Sequence, residues 1–287
     1  MRLIVAIALV FIATACGGSS ELEAEGPGGT IIATKGGDFR LYRIDPESGS
    51  AVLLALDRDA RSPGAHDSEP ACAPNGRQIA FVRDSIGETE LRLHDLSTEE
   101  SRLLRRLRIG FASPAWGPDG RVLAYADSIG GLRLVEVETG QLTVLTRGFD
   151  EHPTWSPNGE RVAYERDRTG NGQTSIWTMD TEGQDRHQLT HPSGLDADHN
   201  PMWSPHGELI AFERPYDVWV IDSATGATRR VAKLAELRSW SPDGQSVLVH
   251  ELRRDLAKTG LYAVPVEGTG QPRFIAPGFW VGACWLD

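Results

Sequence analysis

The sequence predicts an all-β protein, a six-bladed β-propeller of four-stranded blades. Three observations predict this fold: a segment that recurs about every 43 residues, four strand-like runs in each repeat, and incomplete repeats at the two chain ends that complement each other. The composition agrees, because 31 Gly and 17 Pro in 287 residues are typical of a chain with many turns and exceed what a helical bundle contains.

The recurring segment has the form Pro-x-Trp-Ser-Pro-Asp-Gly. Its five copies are residues 70–76, 114–120, 153–159, 201–207 and 238–244, and a truncated copy lies at residues 283–285. In Pro-Asp-Gly the proline presets φ, the Asp or Asn side chain caps the turn, and glycine takes the left-handed position. We therefore expect a tight turn after the first strand of each blade, and we expect the recurring tryptophans to form inter-blade core.

Each repeat contains four runs of strand character. The recurring segment is the first strand, an apolar run such as residues 79–82 is the second, and an alternating run such as residues 91–94 is the third. A weaker fourth run carries charges such as Arg102 and Arg229. Charge suits the exposed outer edge of a blade, because it discourages aggregation through the unpaired strand.

The chain ends predict how the ring closes. Residues 30–34, 40–44 and 51–56 match the second, third and fourth strands of a blade, and residues 279–286 match a first strand with nothing after it. We therefore expect the N-terminal strands to join the C-terminal strand in one blade, and one propeller domain to occupy residues 29–287.

The first 28 residues have the pattern of an export signal and a tether. Arg2 precedes an apolar run at residues 3–12 that is too short to span a bilayer. Residues 13–16, Ala-Thr-Ala-Cys, resemble the lipobox of bacterial lipoproteins, although leucine is usual where Ala13 stands. The resemblance implies a signal peptide at residues 1–15, lipidation of Cys16, and a flexible tether at residues 16–28. It implies a lipid-anchored protein that faces the periplasm or the cell exterior.

The recurring segment resembles the repeat of the TolB family, propeller proteins of the bacterial Tol–Pal system. It also resembles the propeller domains of prolyl oligopeptidase-type peptidases. Blade one departs from the pattern, with Cys72 in place of tryptophan and Ala73 in place of serine. TolB has an α/β domain before its propeller, whereas twelve residues separate Cys16 from the first strand here, so we expect a TolB-like propeller rather than TolB.

Charge and motifs exclude two classes of function. The net charge is −11, and it becomes −12 if Arg2 leaves with the signal. Nucleic acid is therefore not an expected partner, because phosphate binding needs a basic face. A serine hydrolase needs Gly-x-Ser-x-Gly, which does not occur in this sequence. We expect a non-catalytic protein without a cofactor.

Strand alternation predicts which end of the ring binds a partner. The Pro-Asp-Gly turns lie at one end, here called the turn face. The loops between fourth and first strands lie at the other end with those between second and third strands; this end is the variable face. Ligands usually bind where loops vary. The candidate partner-binding residues are His66, Asp67, Phe111, Phe149, Asp150, His152, His191, Asp198, His199, Arg238, Phe279 and Trp280.

These candidates leave two interpretations open. The four histidines and three aspartates are residue types that bind divalent metals, and some lyases built on similar propellers use such a metal on uronic acid sugars. Alternatively, the aspartates, each three residues before the recurring segment, cap loops by bonding backbone N–H groups. The aromatic residues either pack within loops or anchor a protein interface.

We expect a membrane-anchored, extracytoplasmic, monomeric propeller that binds an envelope protein or peptide. The alternative is a metal-dependent, polysaccharide lyase-like enzyme acting on the variable face. The acidic surface favours partners with basic patches.

Two cysteines besides Cys16 lie on first strands. Cys72 and Cys284 belong to blades that ring closure makes neighbours, so a disulfide there would join the seam in an oxidising compartment. Two buried thiols are the alternative, because strand register decides whether the Cα atoms come within reach.

Overall fold

The computed structural model describes residues 29–56, 64–108, 112–127, 130–194, 196–251, 258–267 and 270–286. These residues form six four-stranded antiparallel sheets around a central channel, which confirms the predicted all-β six-bladed propeller. The predicted signal, Cys16, the tether and Phe111 lie outside the described residues. The described part of the chain contains no helix with the length and apolar character needed to cross a membrane.

All blades have the same strand order from the channel outward, and the strands are numbered along the chain. The first strands, which line the channel, are β4 (His66–Cys72), β8 (Ala115–Trp116), β12 (Phe149–Trp155), β16 (His199–Trp203), β20 (Ala235–Trp240) and β24 (Trp280–Leu286). The second strands are β1 (Thr30–Lys35), β5 (Gln78–Ser85), β9 (Val122–Ala126), β13 (Arg161–Asp167), β17 (Leu209–Arg214) and β21 (Ser246–Glu251).

The outer half of each blade is completed by two more strands. The third strands are β2 (Arg40–Ile44), β6 (Glu88–Asp95), β10 (Leu132–Glu136), β14 (Thr174–Asp180), β18 (Asp217–Asp222) and β22 (Gly260–Pro265). The fourth strands are β3 (Ala51–Leu53), β7 (Ser101–Leu107), β11 (Leu142–Val144), β15 (His187–Gln188), β19 (Thr228–Lys233) and β23 (Arg273–Pro277).

A glycine fixes the turn after the first strand in five blades. These glycines have φ between 65° and 83°, the left-handed region that glycine adopts without a steric penalty. Each glycine N–H donates to the carbonyl three residues before it, at 2.9–3.0 Å. The serine of the recurring segment adds a side-chain bond, because Ser156 Oγ accepts the N–H of Arg161 at 2.9 Å. The glycines are Gly76, Gly120, Gly159, Gly207 and Gly244.

The core lies between the facing surfaces of neighbouring blades. The apolar second strands are buried, with Ile79, Ala80 and Phe81 of β5 wholly inaccessible to solvent. Recurring tryptophans connect one blade to the next: Trp116 Nε1 donates to the carbonyl of Ala71 at 3.0 Å in the preceding blade. Trp240 Nε1 donates in the same way to Met202 at 2.9 Å. These two tryptophans therefore couple β8 to β4 and β20 to β16.

The two ends of the chain meet in the closing blade. β24 pairs with β1 in antiparallel register, with Ile31 opposite Trp285 and Ala33 opposite Ala283, and the sheet order is β24-β1-β2-β3. This arrangement is the predicted ring closure.

A disulfide joins Cys72 in β4 to Cys284 in β24, across the seam between the closing blade and its neighbour. The Cα atoms lie 5.6 Å apart, within the range that a disulfide spans. Ile32, Phe81 and Leu286 pack around the two cysteines in one apolar cluster. The two cysteines are 212 residues apart in the chain, so the bond closes a covalent loop around most of the ring.

Replacing both cysteines, Cys72→Ala with Cys284→Ala, is expected to lower the free energy of unfolding by about 2–5 kcal/mol, because the open chain regains the entropy that the long loop removes. Urea unfolding with and without dithiothreitol measures the loss. Reductant should destabilise the wild type and leave the double variant unchanged. The denatured, unreduced chain should show one reactive thiol, Cys16, when it is unmodified; three reactive thiols would contradict the disulfide.

Candidate functional site

Large apolar side chains are displayed in loops of the variable face. Ile86, Tyr216, Leu234 and Phe279 lie in such loops, Phe149 is the first residue of β12 at the same face, and all five are between 45% and 100% exposed. Tyr216 and Leu234 have φ of 64° and 51°, a region that disfavours residues with a side chain. Among the described residues, no exposed large apolar side chain lies in a loop of the turn face. The variable face therefore differs from the turn face in exposed apolar character.

First strands bulge at the variable-face end of the channel in five of the six blades, including β20 and β24, and three of these bulges share one backbone conformation. Their register shifts at Glu69 in β4, His152 in β12 and Asn200 in β16, and these residues have φ of 48–50°. Each precedes the first proline of the recurring segment, and proline suits a bulge because it has no N–H to donate to the ladder. A bulge re-aims a side chain, and here all three polar residues line the channel.

The channel has a volume of about 890 Å³ and is lined by the first strands of all six blades. Phe279 lines it at the variable face, and Pro74, Pro205 and Pro242 line it at the turn face. Its variable-face end is charged, and the polar residues there are here called the channel cluster. They are Glu69, His152, Glu165, His199, Asn200, Glu213, Glu236 and Arg238.

Glu165 is the hub of one half of the channel cluster. Its Oε2 lies 3.2 Å from His152 Nδ1 and 3.6 Å from His199 Nδ1, and it accepts the Asn200 N–H at 2.9 Å. Burial opposes protonation of His152, but the adjacent carboxylate of Glu165 outweighs it and raises the pKa of His152 to about 9. Burial opposes ionisation of Glu165 as well, yet its histidine partners hold its pKa well below the ordinary value.

Arg238 organises the other half of the cluster. Its guanidinium donates to the carboxylate of Glu236, to the Trp280 carbonyl at 3.0 Å and to the Leu237 carbonyl at 3.1 Å. Glu213 accepts the Leu237 N–H at 2.7 Å and the Asn200 amide at 3.2 Å. Burial nevertheless raises the pKa of Glu213, because these neutral donors and Arg238 compensate its desolvation incompletely.

The four candidate histidines do not converge on one point. His66 stacks on Phe39 with ring centroids 4.6 Å apart, and His191 is exposed in the loop between β15 and β16. His152 and His199 alone among the four meet at a common carboxylate. A metal ion would use Glu151, His152 and Glu165, which each place a ligand atom within 4.8 Å of the others. The predicted four-histidine ligand set is therefore not assembled.

The three candidate aspartates are buried and unavailable to a partner, which corrects their prediction as contact residues. Each lies across from an arginine that follows it by 16 residues on the second strand. Asp67 is 2.6 Å from Arg83. The equivalent distances are 2.7 Å for Asp198 to Arg214 and 3.5 Å for Asp150 to Arg166. The burial and the arginine partners give these aspartates a structural role, whereas the loop-capping alternative expected bonds to backbone N–H groups.

Trp280 is also a correction, because it is 1% exposed and packs in the core instead of the interface. Its Nε1 donates to the Pro277 carbonyl at 3.1 Å, and its ring meets Tyr42 edge-on. Phe149 and Phe279 are exposed as expected, and Arg238 reaches the channel. Glu165 and Glu213 were not among the predicted residues, although a glutamate directly after the apolar run of a second strand is a visible signal.

The family model of the TolB β-propeller domain, PD40, matches residues 99–267. The chain belongs to the TolB β-propeller (PD40) family. Similar relatives include "Tol-Pal system protein TolB 1" of Novosphingobium aromaticivorans, 38% identical over 72 residues, which are 24% of this chain and 16% of the relative. "Protein TolB homolog" of Chlorobium chlorochromatii is 30% identical over 125 residues, 42% of this chain and 28% of the relative. The matched regions thus span less than a third of either relative.

Solved structures resemble this TolB-like propeller over most of its length. TolB from Acinetobacter baumannii has a TM-score of 0.75 at 20% identity, covering 91% of this chain and 67% of that one. An oligogalacturonate lyase in complex with manganese has a TM-score of 0.58 at 15% identity, covering 80% of this chain and 72% of that one. At these identities the likeness shows the fold alone.

We expect Asp67→Asn to cost about 3–5 kcal/mol of unfolding free energy, because it leaves the buried Arg83 guanidinium without its counter-charge. Asp150→Asn is the matched comparison. Burial raises the pKa of Asp150, so its charge opposes folding at pH 7, and asparagine is expected to be neutral or stabilising. Urea unfolding at pH 7 measures both. Equal losses of unfolding free energy in Asp67→Asn and Asp150→Asn would contradict the expectation that the closer arginine pair of Asp67 makes it more stabilising.

The His152 ring is expected to titrate near pH 9, as its carbon-bound proton resonances should show by NMR. In Glu165→Gln the pKa of His152 should fall well below 9, because the charges of Glu69 and Glu151 alone then oppose the effect of burial. The raised pKa stabilises the fold fully below pH 6.5, and this stabilisation is lost as the pH rises through about 9. Glu151→Gln is the control and should lower the pKa of His152 by less than Glu165→Gln does. A His152 pKa that is insensitive to Glu165 would refute the pairing.

Proposed function

We propose that this TolB-like propeller is an extracytoplasmic protein- or peptide-binding module that meets its partner with the variable face and catalyses no reaction. The observation that carries the proposal is the segregation of exposed apolar loop residues. Ile86, Phe149, Tyr216, Leu234 and Phe279 lie on one face, around the charged mouth of the channel. Exposed large apolar side chains that collect on one face mark protein interaction sites, and buried aromatic anchors carry much of the binding energy there.

Backbone conformation supports an interface at the same face. Holding Tyr216 and Leu234 at positive φ costs on the order of 1 kcal/mol each. Their side chains are 80% and 68% exposed, so packing within the propeller does little to repay that cost. Burial of both side chains against a partner would offset it.

The relatives support the class of partner and its location. Proteins whose names place them in the Tol–Pal system share 30–38% identity with parts of this chain. Together with the lipobox-like residues before Cys16, this supports an envelope protein as the partner. In this proposal residues 1–15 are removed, Cys16 is lipidated, residues 16–28 form a tether, and the monomeric ring works outside the cytoplasm.

A metal-dependent lyase is less well supported. The Glu165 carboxylate that such a metal would need already faces two histidines and accepts a backbone N–H. His66 and His191 lie away from this point. Stoichiometric manganese or zinc in the purified protein would reverse this preference.

In-cell photo-crosslinking tests the binding face. A benzophenone amino acid at Ile86 or Tyr216 is expected to give an adduct with an envelope protein, because both side chains project from the variable face. The same amino acid at Glu208 or Gln245, exposed on the turn face, is the matched control and should give none.

The same strains also test the anchor. Cys16→Ala should move the protein from the membrane fraction to the soluble fraction, because the lipid attachment is lost.

In the crosslinking experiment, adducts that form equally from both faces, or from neither, would contradict the proposed binding face.

A further inference from the structure

The channel cluster holds more negative charge than its own cations neutralise. The Arg238 guanidinium already donates hydrogen bonds to Glu236 and to two backbone carbonyls. His152 and His199 both face Glu165. Among the described residues, these contacts leave Glu69 and Glu213 without a contacting cation.

Glu69 is the more open of these two carboxylates. It lies on the β4 bulge at φ 50°, lines the channel, and has no hydrogen bond or ion pair with any described residue. Burial raises its pKa, and His152 and Arg238 lower it only in part. A carboxylate withdrawn from water without a partner is costly, so a cation that entered the channel would be stabilised there.

His250 supplies a second, independent observation. Its side chain is wholly buried in β21, and neither ring nitrogen has a hydrogen-bond partner within the described residues. The Nδ1 atom points toward the cluster, 3.8 Å from Glu236 Oε2, which is too long for a hydrogen bond. The ring also packs edge-on against Phe279 at the channel mouth, 5.0 Å between centroids. A buried imidazole without a hydrogen-bond partner among the described residues thus faces the channel cluster at Glu236.

We infer that the channel cluster, whose carboxylates Glu69 and Glu213 belong to different blades, binds the cationic head of a lysine or arginine side chain from the partner. The inference rests on the proposed function, since the partner delivers the cation. Phe279 lines the entrance and offers an apolar surface for the aliphatic stem, which lysine and arginine bury while the head stays in a polar site. An anionic ligand would be repelled by these two carboxylates, which contact no cation among the described residues.

Small cations test the site without the partner. The probes are n-pentylammonium, which represents lysine, n-pentylguanidinium, which represents arginine, and 1-pentanol, which has the same chain without charge. Titration of the full chain, followed by histidine NMR resonances, should show at least one cation binding about tenfold more tightly than pentanol. The tighter of the two cations identifies the side chain. If neither cation exceeds pentanol, the inference is overturned.

Charge-removing variants locate the binding. Glu69→Gln and Glu213→Gln should each weaken cation binding roughly tenfold, with pentanol unchanged. Glu208→Gln, on the turn face, removes the same charge far from the cluster and should have no effect. Unfolding curves confirm that each variant is folded, and glutamine at 213 keeps the acceptor oxygen. Equal weakening by Glu208→Gln would assign the effect to net charge and refute the site.

The two proposals fail separately. Crosslinks at Tyr216 without cation binding would refute the cation site and leave the interface standing. Cation binding without crosslinks would refute the interface, and the channel would then be a site for free organic cations.

Discussion

The pairing of β1 with β24 is the constraint on which the rest of the molecule depends. A propeller gains its core from blade-on-blade packing, and the first and last blades have neighbours on both sides only when the ring closes. The seam is tight, since a Cβ at Gly282 would lie 3.2 Å from the ring of Pro70. Closure also brings β24 beside β4, the strand that carries Glu69. The channel cluster therefore exists because two distant chain segments share a sheet.

Within the ring, irregular strand pairing at the channel end of the first strands produces the polar site. A regular first strand would aim its side chains at the faces of its own sheet. The bulges at Glu69, His152 and Asn200 break that regularity and bring polar groups to the channel. The pairs Asp67–Arg83 and Asp198–Arg214 lie just before two of these bulges and hold the strands in register where the ladder is interrupted.

The repeat, the turns, the strand order and the closure followed from the sequence, because each depends on local residue chemistry repeated along the chain. The burial of individual side chains was harder to predict from the sequence. Trp280 is an aromatic residue next to a loop, and so is Phe279, yet one is buried and the other exposed. The sequence separates them by one position, and β alternation decides which faces water. The Asp–Arg pairs and the role of Glu165 required knowledge of register across strands, which a single sequence does not supply.

The Cys72–Cys284 bond divides the chain mechanically. Residues 72–284 form a covalently closed circuit, and the strands β1 to β3 lie outside it. Tension applied at the N-terminus enters the fold at β1, between β24 and β2. Such a load can peel the closing blade, but it cannot pull the first strands β4 and β24 apart at the seam that the disulfide spans. Under such a load β1 to β3 would detach first, while residues 72–284 would stay joined by the disulfide. Most of the channel wall belongs to residues 72–284.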